Sequence, residues 1–312
     1  MPADTVIEAG CVICGPGPST EHKVEEAMFR TGESFTYREC IRCGSLQISK
    51  VPEDLGKYYD QDRYYSFSAS NSLISRSWLR YPPVRHLLRL NTAVYLGTGK
   101  GRGVPWAKRV GIGVNERLLD LGCGSGEQLL RLWLYGYRHL VGADPFLSED
   151  SELVPGVPLL KRYHNDLEGE FDWITMNHSF EHVPDPRAVL RSTHRCLAVG
   201  GRALIRMPIM GTNAWRKYGS NWVQIDAPRH LVVYTLEAIQ KIALSEGFEI
   251  EQVFFDSTAF QFWGSELVAA GKPYRDGPAD FSAKQVARWE KAAQQLNRDS
   301  VGDQAGVVLR KA

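Results

Sequence analysis

Three features are missing from this 312-residue sequence, and each absence removes a class of protein. No apolar run approaches the roughly 20 residues that a membrane-crossing helix needs. Neither sign of charge prevails, with 37 Lys plus Arg against 36 Asp plus Glu, so the chain as a whole carries no electrostatic footprint for nucleic acid. A local basic patch is still open to it at Arg76, Arg80, Arg85 and Arg89. No internal repeat or low-complexity tract occurs, and 43% apolar residues with eight Trp and thirteen Tyr point to a packed globular core. The opening MPADTVIEAG is acidic and lacks the basic, apolar pattern of a secretory leader. The expectation is a soluble, cytoplasmic protein, with one large domain plus an appendage or with two domains.

Cysteine is scarce, and its placement is informative. Cys123 and Cys196 stand alone, whereas C-V-I-C (Cys11, Cys14) and C-I-R-C (Cys40, Cys43) are close pairs, each followed by glycine. In a reducing compartment such pairs bind metal more often than they form disulfides. Two C-x-x-C-G knuckles supply the four sulfurs of a tetrahedral zinc site, and four thiolates close the coordination shell. The expected Zn(2+) is therefore structural, held by Cys11, Cys14, Cys40 and Cys43.

The chain divides into an expected zinc-binding lobe at 1–50, a helical connector or cover at 51–110, and an α/β domain at 111–312 with an insertion near 257–303. In the α/β part, R-L-L-D-L, H-L-V-G-A-D, F-D-W-I-T-M-N-H-S-F, R-A-L-I-R-M-P-I and E-I-E-Q-V-F-F read as strands. Between them lie helical segments. One starts at Asp185-Pro186 and is expected to stop at Gly200-Gly201; another starts at Thr235. Alternation of this kind predicts a mostly parallel sheet with helices on both faces. The terminal A-G-V-V-L-R-K is predicted as a last strand beside E-I-E-Q-V-F-F.

L-L-D-L-G-C-G-S-G-E (118–127) joins the first of these strands to a helix. A helix N-terminus there offers unpaired N–H groups, and glycines let backbone approach a ligand closely. The second strand ends in Asp144, placed to accept hydrogen bonds from ribose hydroxyls. A dinucleotide and S-adenosylmethionine both suit this layout. The dinucleotide fingerprint is G-x-G-x-x-G, but here the spacing is G-x-G-x-G with Glu127 in place of the third glycine. Asp120 and Glu127 would repel a pyrophosphate and attract a ligand carrying an ammonium and a sulfonium.

L-L-D-L-G-C-G-S-G-E, V-G-A-D-P and F-D-W-I-T-M-N-H-S-F-E-H-V-P-D-P together resemble the class I S-adenosylmethionine-dependent methyltransferases, and E-H-V-P-D-P resembles their ubiquinone-biosynthesis branch. The resemblance covers about 111–256. It implies a Rossmann-like sheet with an antiparallel last strand and S-adenosyl-L-methionine as cofactor. It places Asp120 and the backbone of Gly122 and Gly124 at the methionine end, with Cys123, Gly126, Pro145 and Asn177 also on the cofactor. It further places Asp144 on the ribose, Phe146 near the adenine, and Asp166 (or Asn165) toward the adenine amine.

Methyl transfer from a sulfonium needs an aligned acceptor and often a base. His178 and His182 stand at the end of a strand, where ligands bind in open α/β sheets. His230, in D-A-P-R-H-L, lies in the long connection after the fifth strand and is the leading base or acceptor-orienting residue; a purely structural role for each histidine is the alternative. Tyr234 and T-A-F-Q-F-W-G-S-E (258–266) are candidate aromatic walls, with Glu266 among them. The expected acceptor is a small molecule or saccharide. RNA methylation, with the zinc lobe gripping nucleic acid, and cofactor binding without catalysis are the alternatives. No expectation attaches to the oligomeric state.

Overall fold

The computed structural model describes residues 10–59 and 104–312. The basic cluster at Arg76, Arg80, Arg85 and Arg89 and the connector from 60 to 103 lie outside the described residues. The lobe contributes β1 (Ser19–Glu25), β2 (Ser34–Cys40) and β3 (Leu46–Ile48), followed by a single tight turn at Leu55–Tyr59. After α1 (Pro105–Val110) come β4 (Arg117–Leu121), α2 (Glu127–Leu134), β5 (His139–Ala143), β6 (Ser151–Val154), β7 (Val157–Leu160) and β8 (Phe171–Asn177). The chain continues through α3 (Pro186–Cys196), β9 (Leu197–Pro208), α4 (Asn213–Tyr218), β10 (Val232–Val233), α5 (Leu236–Ser245) and β11 (Phe248–Phe255). It closes with α6 (Phe260–Ala269), α7 (Ala283–Arg298) and β12 (Gln304–Lys311).

The large sheet has the order β11-β12-β9-β8-β4-β5-β7-β6. From β9 to β7 its neighbours are parallel; β12 runs antiparallel to both β9 and β11, as expected of the last strand. Successive residues of the central strands enter opposite cores. Leu118, Trp173, Leu204 and Val308 pack into one, and Leu119, Ile174, Ile205 and Val307 into the other. A sheet buried on both faces reads as near-continuous apolar sequence, which is why these strands were visible.

Two expectations are corrected in detail. Asp185 caps α3 through the Ala188 amide at 2.9 Å, and Pro186 opens it, but the helix stops at Cys196 rather than at Gly200-Gly201. Leu197–Gly201 already belongs to β9, where the register against β8 shifts between Phe171 and Trp173; the glycine pair marks an irregular strand start. T-A-F-Q-F-W-G-S-E forms most of α6, and its rings turn to neighbours: Phe260 to Trp263 and Tyr274, Phe262 to Trp289. Tyr234 is fully buried against Phe180, a core residue rather than a pocket wall.

The lobe is joined to the sheet domain by shared structure. Its sheet, β1-β2-β3-β10, takes its fourth strand from the connection after β9, with Val232 opposite Gln47 and Val233 opposite Leu46. Ile13, Tyr37, Cys40, Cys43 and Leu46 pack into the same core as Leu119, Ile174 and Ile205.

Candidate active site

The glycine loop leaves the C-terminal end of β4, where open α/β sheets bind their ligands. Gly122 has φ +80°, and a Cβ there would stand 2.4 Å from Ser179 Cβ, so only glycine fits. Gly124 and Gly126 also adopt positive φ. The amides of Gly122 and Cys123 donate to the Ala143 carbonyl at 2.8 and 3.2 Å, tying the loop to the end of β5. Asp144 extends this link: its carboxylate accepts from the Gly124 amide and the Phe146 amide, both at 2.9 Å. Burial raises its pKa. Each Asp144 oxygen keeps a further lone pair with which to accept a hydroxyl.

Asp120, at the end of β4, is buried and accepts from Thr175 Oγ1 at 2.6 Å and Asn177 Nδ2 at 3.1 Å. Burial pushes its carboxyl up to about 6 against these two hydrogen bonds. Asn177 in turn accepts from Arg206, whose guanidinium also donates to Asp256 at 2.9 Å. Thr175 and Arg206 were not singled out in the sequence; an arginine within the apolar A-L-I-R-M-P run was the available signal. Glu127 is exposed and pairs with Arg131 at 2.6 Å, so its charge is met on the helix surface. Phe146 is half exposed, and its ring stacks on Tyr59 of the lobe segment, 5.6 Å between centroids. Asp166 sits on an exposed turn beyond β7 at the same edge of the sheet, and Pro145 is partly buried beside Asp144. Cys123 is partly buried, and burial raises its thiol well above the usual range.

His178, His182 and His230 come together beyond β8, around the wholly buried Glu181. His178 adopts φ +52°, uncommon for a residue with a side chain, and its Nδ1 stands 3.5 Å from Glu181 Oε1. His182 and His230 meet edge to face at 4.8 Å between centroids. Nδ1 of His182 donates to the Arg229 carbonyl at 2.8 Å and lies 2.9 Å from the Tyr59 hydroxyl. Nδ1 of His230 donates to the Gln224 carbonyl at 2.8 Å. Burial, then the neighbouring His230, pull His182 down to about 4. Burial works against ionisation of Glu181, but the surrounding imidazoles of His178, His230 and His182 hold it at about 2.

D-A-P-R-H-L is fixed from the lobe. Arg229 is fully buried, pairing with Asp226 at 2.6 Å and with Glu26 at 3.0 Å, and Glu26 also accepts from the amides of Met28, Phe29 and Thr31. Arg229 holds Asp226 well below the ordinary carboxylate range despite burial. Tyr37 of β2 donates to the His230 carbonyl at 2.8 Å. Glu26, Tyr37 and Tyr59 lie far from His230 in sequence, and no local pattern announced them.

The four cysteines of the two knuckles meet, with their sulfurs within 4.8 Å of one another and Cys11 Sγ 3.6 Å from Cys43 Sγ. Sulfurs about 2.3 Å from a tetrahedral zinc are about 3.8 Å apart, so this donor set fits that ion. The Gly15 and Gly44 amides close each knuckle onto the carbonyls of Cys11 and Cys40, both at 2.7 Å. Contact with Cys11 and burial push the Cys43 thiol up to about 12.

A glycine loop on β4, an acid following β5 and polar side chains on β8 stand together at the C-terminal edge of a Rossmann-like sheet. Residues 91–253, more than half of the chain, match the methyltransferase domain family Methyltransf_23, and the chain belongs to it. Two ubiquinone biosynthesis O-methyltransferases are similar to it. The protein of Pseudomonas aeruginosa (strain LESB58) is 28% identical over 108 residues, 31% of this chain and 46% of that protein. The protein of Aeromonas salmonicida (strain A449) is 29% identical over 100 residues, 29% of this chain and 42% of that protein. The chain thus spans about half the length of the curated relatives it matches. Among solved structures, an S-adenosylmethionine-dependent methyltransferase from Mesorhizobium loti overlaps 63% of this chain and 91% of that one, at 17% identity and a TM-score of 0.37.

Proposed function

We propose that the chain transfers a methyl group from S-adenosylmethionine to a small-molecule acceptor, of which saccharides are one class. The observation that carries this reading is the pairing of Asp120 and Asp144 around a G-x-G-x-G loop at the C-terminal ends of β4 and β5. Asp120 would receive the cofactor's ammonium, Asp144 the ribose hydroxyls, and Phe146 the adenine. The cofactor supplies an activated methyl on a sulfonium. The protein aligns the acceptor and takes its proton.

His178 is the candidate for proton removal, because its side chain is 33% exposed and Glu181 lies beneath it, whereas the His230 side chain is only 6% exposed. His182 and His230 stand behind it as positioning residues. The cysteine cluster holds a structural zinc, which fixes the lobe and, through Glu26 and Tyr37, the D-A-P-R-H-L segment. The near-zero net charge disfavours RNA as acceptor. Methyl-labelled cofactor should label an acceptor in a panel of sugars, nucleotide sugars and phenols. His178→Ala should remove turnover and leave cofactor affinity intact; full activity would exclude His178 as the base.

A further inference from the structure

Glu181 presents an unresolved demand. Its side chain is fully buried, yet neither carboxylate oxygen has a hydrogen-bond partner. An ionisable group in that position needs a cation against it. The nearest groups are imidazole nitrogens at 3.5 Å (His178 Nδ1) and 3.8 Å (His230 Nε2), too far for hydrogen bonds but spaced to share an ion. Glu181, His182 and His230 each offer one ligand atom, and these atoms lie within 4.8 Å of one another.

The orientation of the rings is the second observation. His182 and His230 each give their Nδ1–H to a backbone carbonyl, of Arg229 and Gln224. That leaves Nε2 as the lone-pair nitrogen on both. A metal-ligating histidine is commonly held in this way, its far nitrogen donating to a carbonyl or carboxylate. Asp226 also stands 3.8 Å from His230 Nε2, but it is committed to Arg229 and to the Tyr274 hydroxyl.

We infer that Glu181, His182 and His230 form a second metal site, separate from the four cysteines, for a divalent first-row transition ion. Two imidazoles and one carboxylate suit such ions and leave positions open to water. The site takes its ligands from two segments, the end of β8 and D-A-P-R-H-L, so an ion there would lock the two together. It stands independently of the methyl-transfer reading.

Crystals of the full chain soaked in Co(2+) and measured at the cobalt edge provide the test on unaltered protein. An anomalous peak bonded to Glu181, His182 and His230 is expected. No peak there, or a peak only at the cysteines or on surface carboxylates, overturns the site and leaves a proton in the gap. Equilibrium dialysis against Co(2+), with total bound zinc plus cobalt counted by elemental analysis, should give about two ions per chain, one for each donor set. Glu181→Gln and His230→Gln should each retain about one, with cysteine-thiolate absorption unchanged. About one ion in the unaltered chain, or no loss in either variant, contradicts the assignment. Calorimetry with S-adenosylhomocysteine on the same samples reports the cofactor site, so failure there does not count as failure here.

Discussion

Asp120 and Asp144 show how two carboxylates of one sequence acquire different work. Asp144 is held by two backbone amides, and the same bonds order the glycine loop. Asp144→Ala is expected to weaken cofactor binding by about 1.5–3 kcal/mol, the scale of charge-assisted hydrogen bonds; titration calorimetry measures it. Asp120 is buried, and its folded pKa of about 6 lies above the unfolded value near 3.9. Its ionisation therefore costs stability as pH rises from about 4 to 6, and a bound ammonium offsets that cost. Cofactor affinity should accordingly fall as pH drops below about 6, and Asp120→Asn should be weaker and lose this dependence. Gly122→Ala must place a Cβ on Ser179 at positive φ, so it should lower both the melting temperature and cofactor affinity, costing more than about 1 kcal/mol.

The elements were legible where local chemistry and period agreed. The strands at 117–121, 139–143, 171–177 and 304–311 were read from apolar pattern, and Asp185-Pro186 from cap chemistry. The hairpin of β6 and β7 was not, because S-E-L-V-P-G-V-P-L-L contains two prolines that read as breakers; Pro155-Gly156 is its turn, and Pro158, opposite Glu152 of the edge strand β6, precedes the pairing of β7 with β5, which starts at Leu159. Thr235 was read as a plain helix start. Its hydroxyl accepts from the Ala238 amide at 3.1 Å and donates to the Cys43 carbonyl at 2.7 Å, so it caps α5 and docks a knuckle at once. Thr235→Ala should cost about 1–2 kcal/mol in chemical denaturation, and Thr235→Ser should restore most of it.

At the scale of the molecule, the proposed donor site was written in contiguous motifs, and the proposed acceptor side was not. Gly122 to Gly126 and Asp144 belong to one β-α-β unit, so spacing alone brings them together. The histidine cluster depends on Arg229, Glu26, Tyr37 and Tyr59, drawn from the lobe and from the connection after β9. Because lobe and sheet share a core, stripping the zinc proposed for the four cysteines should lower the melting temperature of the whole chain in a single transition. A chelator that left the melting curve unchanged would show that the lobe needs no metal.

Calorimetric titration of the intact protein and Asp144→Ala with S-adenosylmethionine, at neutral pH, bears most directly on the donor site. The predicted result is saturable binding at about one cofactor per chain, as one glycine loop provides, with affinity sharply reduced in the variant. Absence of saturable binding, or equal affinity in the two proteins, would contradict it.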